Sequence, residues 1–249
     1  QRASYQIESP DSTSAPPNGQ EFVIKVNNAN NIVSVASPPL REEQPSLPVL
    51  NPRLRLWTQR NMATGMTSPA GWQSYARRGS RDETALEPSA VMGSDAARFH
   101  VVQDGRKDPD GWAHTGLLQE VAFPQAAFTI KVLSRAPFRV TDTGWPLTAF
   151  GLEIADANNG LIWVLFQQTG LGNVEYDLPT GHHIKVIEVP ANEWTMQTVD
   201  LASLYHELNW SPSERITMKL FAAAASSAAN DVDGYVAWLD VPATATIGQ

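Results

Sequence analysis

Three glycine–tryptophan pairs, Gly71-Trp72, Gly111-Trp112 and Gly144-Trp145, each follow a turn-forming stretch: Ser68-Pro69-Ala70, Asp108-Pro109-Asp110 and Thr141-Asp142-Thr143. A tryptophan at a loop tip presents a broad flat ring. The C–H faces of a pyranose are apolar while its hydroxyl rim needs directional partners, so such a ring with amides, carboxylates or arginines beside it can hold a sugar. Tyr75, Arg77, Arg78, Arg81 and Asp82 follow the first pair and can supply that rim. The competing reading is that each ring closes one end of a folded core. Trp163, Trp194, Trp210 and Trp238 fall in or beside strand-like runs and are expected in the core.

Other side chains offer weaker chemistry. The loop Asp104-Gly105-Arg106-Lys107-Asp108-Pro109-Asp110-Gly111 and the turn Asp231-Val232-Asp233-Gly234 resemble fragments of oxygen-ligand loops, but neither has EF-hand spacing, and solvated turns use the same residues. His182 and His183 are adjacent in a predicted turn, where imidazoles point apart; solvation at a hairpin tip is the simpler role, and no helical zinc motif is present. Glycoside hydrolysis needs two carboxylates flanking the bond. Glu153 and Asp156 are three apart and so on opposite strand faces, whereas Glu175 and Asp177 share a face as a lone pair. A nucleophile elbow and a phosphate loop are also absent from the sequence. The reading leans against an enzyme.

The chain has 249 residues, 26 acidic against 18 basic, a formal net charge of -8 and no cysteine. Without cysteine there is no disulfide, thiolate zinc site, iron–sulfur cluster or cysteine nucleophile. An acidic balance argues against nucleic acid as a partner. No stretch reaches the roughly 18 to 20 apolar residues of a membrane span, and no apolar signal segment follows Gln1, so a soluble chain is expected.

Seven of the 18 prolines lie in the first 50 residues, ahead of the first tryptophan, Trp57. Residues 1–20 read as an extended tail. Phe22, Ile24 and Val26, then Ile32, Val33 and Val35 across an asparagine-rich turn, read as a hairpin or a pair of short strands, and residues 37–48 as a semi-rigid spacer. The division is therefore 1–48 for the tail, hairpin and spacer, and 49–249 for the main domain. There, short β-branched and aromatic runs alternate with Gly, Pro, Asn and Asp clusters. The clearest hairpin joins residues 149–155 to 161–166 through Asp156-Ala157-Asn158-Asn159-Gly160. A second joins 173–177 to 184–189. Further strands are expected over 53–57, 97–102, 117–123, 128–134, 194–199, 215–222 and 234–241, and one helix over 201–208 with Asp200 as N-cap. The alanine-rich run at 221–229 reads as a strand end followed by a loop, or as an assembly face. In Phe128, Ile130 and Val132 one face is apolar, the alternation of an antiparallel sheet. The fold class is all-β: a two-sheet antiparallel β-sandwich of jelly-roll type, with an extended proline-rich N-terminal segment.

The order of segments carries a resemblance. Asn51-Pro52-Arg53-Leu54 is followed by Ser68-Pro69-Ala70-Gly71-Trp72, Ala96-Ala97-Arg98-Phe99-His100 and Gly116-Leu117-Leu118-Gln119-Glu120-Val121. Then come Trp194-Thr195-Met196-Gln197-Thr198-Val199-Asp200-Leu201 and Ala237-Trp238-Leu239-Asp240-Val241. Over about residues 49–242 this resembles the galactose-binding-like jelly roll of carbohydrate-binding modules attached to xylanases. The resemblance implies a noncatalytic glycan-binding domain, with Trp72, Tyr75, Arg77, Trp112 and Trp145 as ligand-binding residues. It also implies a structural calcium near Asp240, although Asn51-Pro52-Arg53 lacks the family's early carboxylate. No other cofactor is expected. The expected location is extracytoplasmic: secreted, periplasmic or cell-surface. The alternative is a structural subunit of a cell-surface or membrane-associated assembly, with residues 1–48 pairing with a protein partner's sheet edge.

Overall fold

The computed structural model describes residues 23–26, 32–36, 49–60, 67–77, 83–105, 111–225 and 229–242. The expected tail, the spacer, Arg78, Arg81, Asp82 and residues 106–110 of the aspartate-rich loop lie outside them. Contacts divide the chain into Gln1–Pro45 and Ser46–Gln249. In the first unit, β1 (Val23–Val26) and β2 (Ile32–Ala36) pair antiparallel, as the two apolar runs around the asparagine turn anticipate.

The second unit is a two-sheet sandwich. A pair of short strands, β3 (Trp57–Arg60) and β4 (Thr67–Pro69), opens it, followed by β5 (Gln73–Arg77), β6 (Glu83–Val91), β7 (Ser94–Asp104) and β8 (Trp112–Ala122). Next come β9 (Phe128–Ser134), β10 (Thr148–Asp156), β11 (Gly160–Gln167), β12 (Val174–Asp177), β13 (His183–Glu188) and β14 (Thr195–Val199). Helix α1 (Leu201–Glu207) precedes β15 (Arg215–Ala225) and β16 (Ala229–Asp240). Seven strands form one sheet in the order β12-β13-β11-β10-β15-β8-β5, and five form the other in the order β14-β9-β16-β7-β6. All ladders in both sheets are antiparallel except β11–β13.

Alternation decides what lies between the sheets. Phe150, Leu152 and Ile154 of β10, Leu117 of β8 and Met218 and Leu220 of β15 turn inward and meet Phe99, Val101, Ile130, Val132, Val232 and Val236 from the smaller sheet, all fully buried or nearly so. Gly234 stands where any side chain would collide with this core, since a Cβ there would lie 2.2 Å from the Phe150 ring. Trp72 is fully buried in the same cluster, its Nε1 donating to the Asn51 carbonyl at 3.4 Å. The helix is capped by Asp200, whose Oδ1 accepts from the Ser203 amide at 2.9 Å, and it buries Leu201, Leu204 and Tyr205 against the core, with Tyr205 4.7 Å from Phe123.

The expected hairpin is present, with Asp156 paired to Gly160. Burial alone would raise the Asp156 carboxyl, but the Ser213 hydroxyl and amide (2.5 and 3.0 Å) and the Asn158 amide (2.8 Å) hold it below the usual range. Several segments differ from the sequence reading; Asp231-Val232-Asp233-Gly234, read as a turn, runs within β16 and pairs with β7. Residues 53–56 are not strand: Asn51, Leu54 and Leu56 take φ of 48°, 50° and 60°, and the Asn51 side chain closes the loop on Arg55. The alanine run Ala222–Ala225 continues β15 as buried strand, because small residues suit its central place between β10 and β8. Strand β6, with its internal Pro88, escapes the periodicity because it is the edge strand of its sheet, where a missing N–H is tolerated.

Candidate functional site

On the outer face of the seven-stranded sheet, register alone assembles a cleft. One cross-strand row reads Trp163 (β11), Glu153 (β10), Lys219 (β15). The next reads Leu165, Gly151, Phe221, Gly116, Tyr75 across β11, β10, β15, β8 and β5. A third reads Ala149, Ala223, His114, Arg77. On this face Gly151, Gly116 and Ala223 therefore adjoin Phe221, beside aromatic and charged side chains. Gly116 is required where it stands: a Cβ would lie 2.7 Å from the Tyr75 ring and 2.4 Å from the Leu220 carbonyl.

The resulting cleft, about 250 Å³, is lined by Tyr75, Arg77, Trp112, His114, Trp145, Glu153, Trp163, Lys219, Phe221 and Ala223. Three indoles meet edge to face, Trp145–Trp163 at 5.5 Å, Trp112–Trp163 at 6.0 Å and Trp112–Trp145 at 6.4 Å, and Trp163 lies 5.0 Å from Phe221. Trp145 is delivered by a loop closed on itself: the Thr141 amide donates to the Trp145 carbonyl at 2.7 Å, the Trp145 amide to Thr141 Oγ1 at 3.1 Å, and the Tyr176 hydroxyl to the Gly144 carbonyl at 2.9 Å. Burial pushes the Tyr176 phenol up to about 12, so it remains a donor. The His182 ring lies 5.2 Å from Trp145.

The polar groups are fixed with equal care. Glu153 accepts from Trp163 Nε1 at 3.0 Å through one oxygen and from Lys219 Nζ through the other. Lys219 Nζ also lies 5.7 Å from the Tyr75 ring centroid. Burial, reinforced by the Glu153 charge, drives the Tyr75 phenol far above its ordinary value, so it stays protonated. Burial and then the Arg77 charge lower His114, which packs 5.3 Å from Tyr75 and is neutral at pH 7. The cleft thus offers flat rings beside a neutral imidazole, a phenol, a paired carboxylate and a guanidinium.

Of the candidate ligand residues, Tyr75, Arg77, Trp112 and Trp145 converge here. Trp72 does not: it is wholly enclosed in the inter-sheet core and has no face for a ligand. Trp163, expected in the core, lines the cleft instead, because outward parity on β11 places it opposite Glu153. His114, Lys219 and Phe221 escape sequence reasoning, and Glu153 enters it only as a hydrolytic carboxylate, because single-strand alternation marks an outward residue but not which strand lies beside it. His183 is not a solvated tip residue. It is buried, with Nδ1 2.8 Å from Asp177 and Nε2 3.1 Å from Glu175, which also pairs with Lys185 at 2.9 Å, so this carboxylate pair clamps edge strand β12. Asp240 ends β16 exposed, and among the described residues no group of three or more His, Cys, Asp or Glu gathers.

No family model matches the chain, and no curated protein matches its sequence. Some solved structures are similar to it over part of the chain. The xyloglucanase domain of the effector NopAA from Sinorhizobium fredii, in complex with cellobiose, is similar over 71% of this chain and 100% of its own, with 12% identity and a TM-score of 0.38. A family 11 carbohydrate-binding module from Clostridium thermocellum, in complex with a β-1,3-1,4-mixed-linked tetrasaccharide, is similar over 70% and 90%, with 10% identity and a TM-score of 0.36. The family 11 xylanase from Neocallimastix patriciarum is similar over 69% and 95%, with 8% identity and a TM-score of 0.33. The chain's own strand order makes it an all-β two-sheet sandwich.

Proposed function

We propose that residues 49–249 form a noncatalytic, extracytoplasmic domain that binds a glycan chain in the cleft on the seven-stranded sheet. The observation that carries this is the convergence of Trp112, Trp145 and Trp163, from two strands and a closed loop, over Phe221 and Ala223 and beside the Glu153–Lys219 pair. Rings at different tilts suit successive sugar faces, and the Glu153–Lys219 pair and His114 suit hydroxyl rims. Trp163 takes the place in this set that the sequence gives to Trp72. Binding is favoured over hydrolysis because Glu153 is the single carboxylate among the described lining residues and both its oxygens are already engaged, whereas hydrolysis needs two, about 5 to 9.5 Å apart. Polysaccharides of plant and microbial walls lie outside the cytoplasm, which is where such a domain would act.

The test is retention of the full chain on immobilised xyloglucan, mixed-linked β-glucan, β-galactan and xylan. At least one polymer is expected to retain the protein, and Trp145→Ala to weaken that retention by at least about tenfold, the scale of a central aromatic contact, with an unchanged melting temperature. Passage of the folded protein through every polymer, or equal retention of Trp145→Ala, would contradict the proposal.

A further inference from the structure

The opposite face of the sandwich carries a second cleft of different chemistry. It is about 260 Å³ in volume and lies on the outer side of the five-stranded sheet, where three separate pieces of chain meet. The first is the left-handed loop, which presents the exposed Arg53 and Arg55. The second is the β6–β7 turn, with Met92 and Gly93 at φ 46° and 75°, which presents Ser94 and Asp95. The third is the β9–β16 ladder, which presents Lys131 and Trp238.

The ladder is irregular at this point. Pairing passes from Val236 opposite Val132 directly to Trp238 opposite Lys131, so Ala237 is the extra residue of a β-bulge. Val236 and Leu239 face the core, and the bulge leaves Ala237 and Trp238 both on the outer face. Without it, strict alternation would turn the Trp238 ring inward. Bulges are over-represented beside functional sites, where they re-aim a side chain. The three left-handed non-glycine residues of the neighbouring loop are held there by the core: the Leu239 amide donates to the Pro52 carbonyl at 2.8 Å, and Trp57 Nε1 to the Leu54 carbonyl at 2.6 Å.

Charge distinguishes the site from the rest of an acidic chain. Three cations, Arg53, Arg55 and Lys131, surround the single carboxylate of Asp95. Arg55 reaches Asp95 only at 3.7 Å, between largely exposed side chains. Lys131 donates to Ser94 Oγ at 2.9 Å and lies 5.1 Å from the Trp194 ring centroid. Among the described residues Arg53 and Lys131, like the exposed Arg139 elsewhere, have no carboxylate partner, whereas Arg98, Arg135, Lys185, Arg215 and Lys219 each do. A half-buried lysine with only a hydroxyl and an aromatic face leaves its counter-charge to be supplied from outside.

We infer that this second cleft binds the anionic substituent, carboxylate or sulfate, of an acidic polysaccharide, with Trp238 against the sugar ring and Arg53, Arg55 and Lys131 on the anion. A polysaccharide is favoured over other polyanions because the cations border an aromatic ring as well as the Ser94 hydroxyl and the Asp95 carboxylate, an acceptor for sugar hydroxyls. The carrier of the anion rests on the glycan reading above; the anion site itself does not depend on the first cleft.

The experiment measures binding of the full chain to polygalacturonate, dextran sulfate and neutral dextran at low and high salt, with inorganic sulfate as competitor. Wild type is expected to bind polygalacturonate or dextran sulfate but not neutral dextran, with salt and sulfate weakening the interaction. The double variant Arg53→Gln, Lys131→Met keeps both stems while removing two charges, and is expected to lose at least about tenfold of that binding while retaining the wild-type response to neutral wall polymers. Trp145→Ala is expected to show the reverse pattern. Acidic-polymer binding that survives in the double variant, or is absent from the wild type, would overturn the inference, as would capture on phosphatidylserine vesicles without binding to either acidic polymer. Failure of the neutral polymers alone would overturn the first cleft and leave this one standing.

Discussion

Trp72 and Trp145 show how two residues with the same sequence context take opposite roles. Both follow a glycine with positive φ, yet the Trp72 ring is sealed between the sheets and the Trp145 ring is held at the mouth of a cleft. Their truncations should therefore separate. Trp72→Ala is expected to cost about 3 to 5 kcal/mol, the range for a buried large aromatic, and to appear in denaturant unfolding, whereas Trp145→Ala should leave the midpoint near that of the wild type. Equal destabilisation by the two would contradict the placement of Trp145. The sequence made the gly–Trp pairs legible as candidates, but the choice between core and cleft depends on what stands across the sheet. Gln119 illustrates the point: it reaches from β8 to the Leu50 amide at 2.8 Å and the Gly71 carbonyl at 2.6 Å, fixing the loop that carries Trp72 into the interior. That contact joins residues too far apart in sequence for any local pattern to reveal it.

At the scale of elements, the β10–β11 hairpin and α1 were readable because their signals are local: an Asn-Gly turn between apolar runs, and an aspartate N-cap before an amphipathic segment. Loop 51–56 was not, because its left-handed residues are imposed by hydrogen bonds from β16, Trp57 and Trp72. The hairpin also carries an acid-labile component of stability. Asp156 is held below its ordinary carboxyl value in the folded protein, so its contribution is fully present above the unfolded-state value near 4 and is lost as pH falls through the depressed folded value. Asp156→Asn is expected to destabilise the domain by about 1 to 3 kcal/mol at pH 7, the scale for hydrogen bonds to a charged group, with the gap from wild type narrowing as pH falls below about 4. Thermal melts across pH 3 to 7 check this, and a gap independent of pH would refute it.

At the largest scale, the two main sheets of the second unit, unequal in width, share one core and present two outer faces of different character. The wider carries indoles around a paired carboxylate; the narrower carries partly unpaired cations beside a single indole. The alternation of short β-branched and aromatic runs with turn clusters marked the all-β class and most of the strands, but the cleft exists only through the register of β5, β8, β15, β10 and β11, which alternation within single strands does not specify. The central claim is that the wider face is the ligand face. The most direct measurement follows the indole N–H resonances of the eight tryptophans during titration with cello-, xylo- and galacto-oligosaccharides. Binding as described should shift the resonances of Trp112, Trp145 and Trp163 together while Trp72 stays fixed; no movement of these three with any sugar, or movement confined to other indoles, would contradict it.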